Sequence, residues 1–343
     1  MKVLVTGANG HLGYNLVGAL LDAGHEVRGS VRSLTDPAKT ERLRRLGNVE
    51  LVEVALERPD QMGAAMRDVE VLFHAAAVYA YYAPGRADEI VAASVKGAEA
   101  ALRAAAAARV RKVILTSSAV TLPLTRAGEP RVNETQWTPD LSVPYVRAKV
   151  EAERVAWRLA QELALDLVTI LPGAIAGPGF TKNTPSIDVI EAILRGGFRM
   201  GVPDFNFPLV DIRDVVAAHL LAAEKPSDGR FVVCNDVLPS FRSMLDTLHT
   251  IDPTVRQPLM TMPDFMAGAL PWFDWLNHRM LGTPRSATPE LMAMCRGRIW
   301  NADNGRIKQV LGWRQQITQE QCLRDTVAVL RAREQVPAKR VPA

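Results

Sequence analysis

The stretch Thr6-Gly7-Ala8-Asn9-Gly10-His11-Leu12-Gly13 stands where the aliphatic run 2–6 ends and a helical pattern over 11–23 begins. A pyrophosphate seated against such a junction needs a tight turn, close approach of the backbone, amides at a helix N-terminus, and a helix packed near its strand. Glycines meet the turn, approach and packing demands. A glycine triplet alone is a weak signal; a strand before it and a helix after it make the stretch a dinucleotide loop. Thr6, Gly7, Asn9, Gly10, His11, Leu12 and Gly13 are therefore candidate cofactor-binding residues.

Outward from this loop, short aliphatic runs at 2–6, 26–31, 49–54, 69–75, 112–116 and 167–171 alternate with helical patterns at 11–23, 38–46, 59–66, 88–108 and 144–163. That alternation predicts an α/β fold, a Rossmann doubly wound parallel sheet buried on both faces. After Pro172 the rhythm breaks at Gly173, Gly177, Pro178 and Gly179. Helical patterns at 189–194, 214–223 and 319–332 and a strand at 231–234 follow. The expected organisation is a cofactor-binding domain over 1–172, a mainly substrate-binding region over 173–334 interleaved with the sheet, and a flexible tail over 335–343.

The 41 basic and 37 acidic residues of the 343 leave a formal charge of only +4, which calls for no nucleic-acid partner. Cys234, Cys295 and Cys322 are widely spaced, with no metal-ligand pattern, so neither a disulfide framework nor a metal site is expected, and a reducing cytoplasm fits. No signal peptide is read at the N-terminus. No run approaches the roughly 20 apolar residues of a membrane span, since Glu99 and Arg103 interrupt the alanine-rich 98–108.

An acidic residue at the end of the second strand would hydrogen-bond the adenosine ribose of NAD. The sequence instead gives Arg28-Gly29-Ser30-Val31-Arg32-Ser33, with Lys39 beyond. Arg32 is placed to stack on adenine and pair a 2′-phosphate, so NADP(H) is the preferred cofactor, with NAD(H) as the other option.

The fifth run ends in Leu115-Thr116-Ser117-Ser118-Ala119, and Pro144-Tyr145-Val146-Arg147-Ala148-Lys149 opens the long helical pattern after it. Tyr145 and Lys149 share one helix face. A nearby ammonium favours tyrosinate and brings the phenol toward the range useful for proton transfer. A hydroxyl such as that of Ser118 can hold the substrate oxygen.

These motifs together resemble the extended short-chain dehydrogenase/reductase family, closest to its dihydroflavonol reductase and 3β-hydroxysteroid dehydrogenase-like branch. The resemblance covers 1–235 and returns at Leu311-Gly312-Trp313. It also rests on Leu72-Phe73-His74-Ala75-Ala76-Ala77, on Asn133-Glu134-Thr135-Gln136-Trp137, and on Pro208 to Val215 with Gly229-Arg230-Phe231. It implies Tyr145 as acid/base, Lys149 on the nicotinamide ribose, and Ser118 on the carbonyl. It further implies Ala75, Ala76, Ala77, Thr116, Ser117, Pro172, Gly173 and Ile175 along the cofactor, Arg32 and Lys39 at the 2′-phosphate, and Asp214 in a structural turn. Two positions depart from the pattern. Ala55-Leu56 replaces the aspartate that usually meets the adenine amino group, and Ser94-Val95-Lys96-Gly97-Ala98 lacks the asparagine usual in epimerases.

His74 reads as a residue packed beside the cofactor, not a base. Met260, Met262, Phe265, Met266, Trp272, Phe273, Trp275 and Met280 form the most apolar stretch of the C-terminal region, which reads as ordinary lid packing, as an adaptable wall for a bulky apolar substrate, or as a surface that meets a membrane or another subunit. The sequence thus predicts an NADP(H)-dependent reductase or dehydrogenase acting on a fairly hydrophobic small molecule, and leaves a homodimer open. The rivals are a nucleotide-sugar epimerase or dehydratase with tightly held NAD(P), for which Arg195 and Arg199 would meet a diphosphate, and a non-catalytic NADP(H)-sensing protein.

Overall fold

The computed structural model describes residues 1–55, 58–76, 86–196, 198–199, 201–262, 268–281 and 297–335. The strands are β1 (Lys2–Thr6), β2 (Glu26–Val31), β3 (Val49–Glu53), β4 (Val71–His74), β5 (Lys112–Thr116), β6 (Leu167–Pro172), β7 (Ala174–Ala176), β8 (Val202–Pro203), β9 (Leu209–Asp211), β10 (Gly229–Val233) and β11 (Thr261–Met262). The helices are α1 (His11–Asp22), α2 (Pro37–Arg44), α3 (Pro59–Ala65), α4 (Ala87–Ala107), α5 (Pro144–Glu162), α6 (Pro185–Leu194), α7 (Ile212–Glu224), α8 (Phe241–Ile251), α9 (Leu270–Leu281), α10 (Gly305–Val310) and α11 (Gln319–Gln335).

Seven strands form one parallel sheet in the order β3-β2-β1-β4-β5-β6-β10. Strands β4 and β6 are buried along their whole length, as expected when helices cover both faces. One face packs on α1 and α7 through Leu16, Val17, Leu20, Val215 and Ala218. The other packs on α3, α4 and α5 through Met62, Ala101, Leu102, Ala156 and Leu159. Full burial of each leucine or methionine among these contributes about 1.5 to 3 kcal/mol.

Strand order reverses between β1 and β4, so the loops after these two strands run to opposite sides and open a crevice at the carboxyl edge of the sheet. The glycine loop follows β1, and Ala75 and Ala76 follow β4. The chain beyond Pro172 is woven into the same body: β10 extends the sheet, while α7, Ile307, Leu311 and Trp313 join the α1 core. Asp214 holds this junction, its carboxylate accepting from the amides of Gln316 (2.8 Å) and Ile317 (3.1 Å) and its carbonyl from Trp313 Nε1 (2.9 Å). This is the structural turn that the resemblance implies.

Three pieces go beyond the sequence reading. Two short parallel pairs, β7 with β9 and β8 with β11, form off the main sheet, and α8 buries Phe241, Met244, Leu245 and Leu248 in a third core with α6 and α11. Within the described residues no helix is long and apolar enough to cross a membrane.

Candidate active site

Gly7 has φ +67°, and a Cβ there would lie 3.1 Å from the Cα of Ala76. A Cβ at Gly13 would sit 2.2 Å from the carbonyl oxygen of Gly7, an overlap that nothing but glycine avoids. The turn is closed by the Gly10 amide donating to the Gly7 carbonyl at 2.9 Å. Helix α1 then starts with no side-chain cap and no acid in its first turn, so its leading amides face the crevice mouth without a competing carboxylate. These features fit a dinucleotide pyrophosphate. Leu12 is buried, and it offers that group its backbone alone. Asn9 is exposed beside the turn.

His11 points away from the loop. Its Nε2 is 2.9 Å from the carbonyl oxygen of Pro178, and its ring meets Phe180 edge-on at 5.5 Å. Asn15 and Arg42 reach the same segment, at the carbonyls of Pro178 and Gly179. The turn after β7 is thereby fastened to the cofactor half.

Thr6 Oγ1 lies 2.9 Å from His74 Nδ1 and accepts from the Ala76 amide at 3.1 Å, which ties the end of β4 to the glycine loop. Burial pushes the His74 imidazole down to about 4, with the neighbouring Lys149 ammonium adding to the effect. His74 is thus a neutral packing residue. Ala77 and Leu56 lie outside the described residues. Ala55 gives its amide to Gln61 Oε1 at 2.9 Å.

At the adenosine end Arg32 is exposed, as a 2′-phosphate ligand must be. Lys39 is already paired with Asp36 at 3.0 Å and would have to exchange partners to serve. The acid at the end of β3, Glu53, accepts from the Leu34 amide at 2.9 Å and so braces the turn that carries Arg32.

At the far side of the crevice Pro144 occupies the first turn of α5, where its missing N–H costs no hydrogen bond. It is followed by buried Tyr145 and, one turn on, by Lys149. Lys149 is half-buried as a residue, and its Nζ donates to the Thr116 carbonyl at 3.3 Å. Burial pushes its ammonium down to about 8, against the attraction of Glu153. Ser118 caps a 3-10 turn (Ala119–Thr121) that packs on α5; its Oγ accepts from the Val120 amide at 3.3 Å and keeps its proton to donate elsewhere. Tyr145 shares a hydrophobic cluster with Ala119 and Val120 of that turn. The fold therefore gathers Ser118, Tyr145 and Lys149 at one edge of β5.

Thr116 Oγ1 lies 2.9 Å from His219 Nε2, and the other ring nitrogen of His219 meets the Val215 carbonyl at 2.8 Å. Ser117 departs from the expected cofactor contact, because its hydroxyl donates to Glu153 Oε2 at 2.6 Å, inside the core. Pro172 ends β6; Gly173 is pressed against the Pro208 carbonyl, which a Cβ would approach to 2.1 Å; and Ile175 in β7 packs on the α1 core. Arg195 is paired with Glu191 and Glu334 on the surface, which leaves the diphosphate role foreseen for an epimerase poorly served. Of the apolar stretch, Met262 is buried in β11, whereas Met260, Trp272, Trp275 and Met280 are exposed; Phe265 and Met266 lie outside the described residues.

Sequence reasoning missed the charged group behind this edge. Glu153 and Arg230, both buried, meet at 2.9 Å. Glu153 stands four residues after Lys149, a spacing that could have flagged it.

Buried imidazoles give the fold an acid limit. His74 and His219 are both held near 4, against an ordinary value of 6.5. The unfolded chain binds the extra protons between these values, so stability must fall as pH drops from about 6.5 through 4, by up to about 3 kcal/mol for each ring. Urea melts between pH 7 and 4.5 are expected to show this slope, and His219→Gln to reduce it; a flat profile in the parent chain would contradict the assignment.

A glycine loop at a topological switch point of a seven-stranded parallel sheet defines a dinucleotide-binding fold. Comparison with known proteins gives the particular family. The model of the NAD dependent epimerase/dehydratase family matches residues 3–234. Cinnamoyl-CoA reductase 1 of Arabidopsis thaliana is 32% identical over 245 residues, covering 67% of this chain and 69% of the relative. Sterol demethylase protein B of Methylococcus capsulatus is 30% identical over 317 residues, 91% of this chain and 93% of the relative. Among solved structures, yeast methylglyoxal/isovaleraldehyde reductase Gre2 complexed with NADPH superposes with a TM-score of 0.77 at 21% identity, covering 98% of this chain and 100% of that one. The chain belongs to the NAD dependent epimerase/dehydratase family, within the extended short-chain dehydrogenases/reductases, and is an NAD(P)-dependent oxidoreductase.

Proposed function

We propose that this enzyme interconverts a carbonyl and an alcohol on a fairly hydrophobic small molecule, a ketone, aldehyde or sterol-like compound, with NADP(H) as cofactor and Tyr145 as acid/base. The observation that carries the reading is the Lys149 ammonium, anchored on the Thr116 carbonyl one helical turn from Tyr145, with Ser118 two residues beyond Thr116 in the turn that packs on α5. The names of the relatives support it, since one is a reductase and the relative aligned over 91% of this chain acts on sterols.

When bound, the nicotinamide supplies or takes the hydride. Tyr145 then gives the phenolic proton to the oxygen of the carbonyl being reduced, or takes it from the alcohol being oxidised. Ser118 donates a hydrogen bond to the same oxygen and fixes its position. Lys149, held by the Thr116 carbonyl, would offer its remaining ammonium protons to the nicotinamide ribose, and its charge would favour the tyrosinate form. The glycine loop and the α1 amides would hold the pyrophosphate, with Arg32 at the 2′-phosphate. Residues 173–334 would supply most of the substrate wall.

The function is tested by following NADPH absorbance with a panel of hydrophobic aldehydes and ketones, and NADP⁺ with secondary and sterol-like alcohols. Turnover on such a panel supports the reading, and interconversion of UDP-sugars without net cofactor consumption overturns it. Arg32 gives a separate expectation. NADPH should bind more tightly than NADH, and Arg32→Ala should weaken NADPH roughly ten- to a hundredfold, because a charged, bidentate partner is lost. Titration of both cofactors checks this; equal affinities in the parent chain would contradict it.

A further inference from the structure

Every polar atom of the buried Glu153–Arg230 pair is engaged. Glu153 Oε1 accepts from Thr169 Oγ1 (2.8 Å) and Arg230 Nε (2.9 Å), and Oε2 from Ser117 Oγ (2.6 Å) and Arg230 Nη2 (3.4 Å). Arg230 Nη1 donates to the carbonyls of Glu134 (2.7 Å) and Gln136 (2.9 Å), and Nη2 to Thr121 Oγ1 (2.7 Å). Its guanidinium lies 3.7 Å over the Trp137 ring. The pair therefore joins α5, β5, β6, β10 and the 134–137 segment at a single point.

Two of these bonds lead into the active site. Thr121, held by Arg230, donates its own proton to the Ser118 carbonyl at 2.9 Å, so the backbone of the substrate-facing serine is fixed from behind. Ser117, one residue before it, is fixed by Glu153. On α5 the Glu153 carboxylate stands one turn beyond Lys149 and attracts its ammonium. Desolvation offsets much of the attraction within a buried charge pair, and its better attested use is to specify one arrangement.

We propose that Glu153 and Arg230 are positioning residues of the reaction. They hold Ser118 in register with Tyr145 through Thr121 and Ser117, and they face Lys149 with a fixed carboxylate one helical turn away. The proposal rests on the function proposed above. Among the described residues, the groups that act on Lys149 are Glu153 on α5, the Thr116 carbonyl on β5 and His74 on β4, with Tyr145 one turn earlier on α5. His74 is neutral above pH 5, so Glu153 is the charge on which the Lys149 ammonium depends.

A merely structural pair would change melting temperature and leave the reaction's pH profile in place. The test measures kcat, KM and the pH dependence of kcat/KM for carbonyl reduction in the parent chain and in Tyr145→Phe, Thr121→Val and Glu153→Gln. Thr121→Val keeps the shape and cuts the link from Arg230 to Ser118; kcat should fall about tenfold, with the KM for NADPH unchanged. Glu153→Gln removes the anion, so Lys149 loses its proton more readily, and the alkaline limb should move down by about one pH unit. If Glu153→Gln fails to fold, Thr121→Val decides alone. A Tyr145-dependent enzyme with parental kcat in Thr121→Val, or with an unmoved limb in folded Glu153→Gln, overturns the positioning role and leaves the function standing. Turnover that survives Tyr145→Phe overturns the function itself.

Discussion

Replacing Tyr145 by phenylalanine should lower kcat about 10²- to 10⁴-fold, the range a positioned proton donor contributes. Cofactor affinity should stay nearly unchanged, because the fold holds the two functions on different elements. The pyrophosphate cradle is the turn of Gly7, Gly10 and Gly13 with the α1 N-terminus, whereas Tyr145 stands at the start of α5 across the crevice. Phenylalanine also keeps the buried ring in the cluster that it shares with Ala119 and Val120. The check combines kcat on the best substrate of the panel with an NADPH titration. A large loss of cofactor binding would mean that Tyr145 serves binding and not proton transfer.

Lys149→Met should raise stability while abolishing most turnover. Burial holds the Lys149 ammonium near 8, against an ordinary value of 10.5. The unfolded chain therefore keeps this proton between pH 8 and 10.5 while the folded chain releases it, and stability of the parent rises across that window. Below pH 8 the folded protein carries a charge its surroundings disfavour, at a cost of at most about 3 kcal/mol, reduced by water entering the open crevice. Methionine has a similar shape and no charge. At pH 7 the variant should melt several degrees higher than the parent without cofactor. Its advantage should shrink between pH 8 and 10.5. A variant less stable than the parent at pH 7 would show that the ammonium is favourably placed before the cofactor arrives.

The sheet was legible because short strand-like segments, most of them rich in Val, Ile and Leu, alternate with longer helical patterns. The expected runs at 2–6, 26–31 and 112–116 coincide with β1, β2 and β5. The pairs β7/β9 and β8/β11 were not legible, since two or three residues carry no period and their pairing is made by tertiary packing. Helix α8 did carry a signal, the spacing of Phe241, Met244, Leu245 and Leu248 after the capping Ser240, and the mixed composition around it obscured that spacing. At the candidate site, Ser118, Tyr145, Lys149 and the glycines could be nominated because each sits at a fixed offset from a strand or helix end. Glu153 and Arg230 were not, because the residues that meet are 77 positions apart and either one alone reads as a surface charge. Ser117 reads in the sequence as a cofactor contact beside Ser118, and only the fold shows that its hydroxyl turns inward to Glu153.

The central claim is net hydride transfer to a carbonyl with Tyr145 supplying the proton. It is tested most directly by incubating the enzyme with NADPH deuterated at the transferring position and a hydrophobic carbonyl substrate, and reading the product by mass spectrometry. The account predicts one deuterium on the carbinol carbon, stoichiometric with NADPH consumed, in the parent chain, and labelled product formed about 10²- to 10⁴-fold more slowly in Tyr145→Phe. Unlabelled product, or equal rates of labelled product in both proteins, would contradict it.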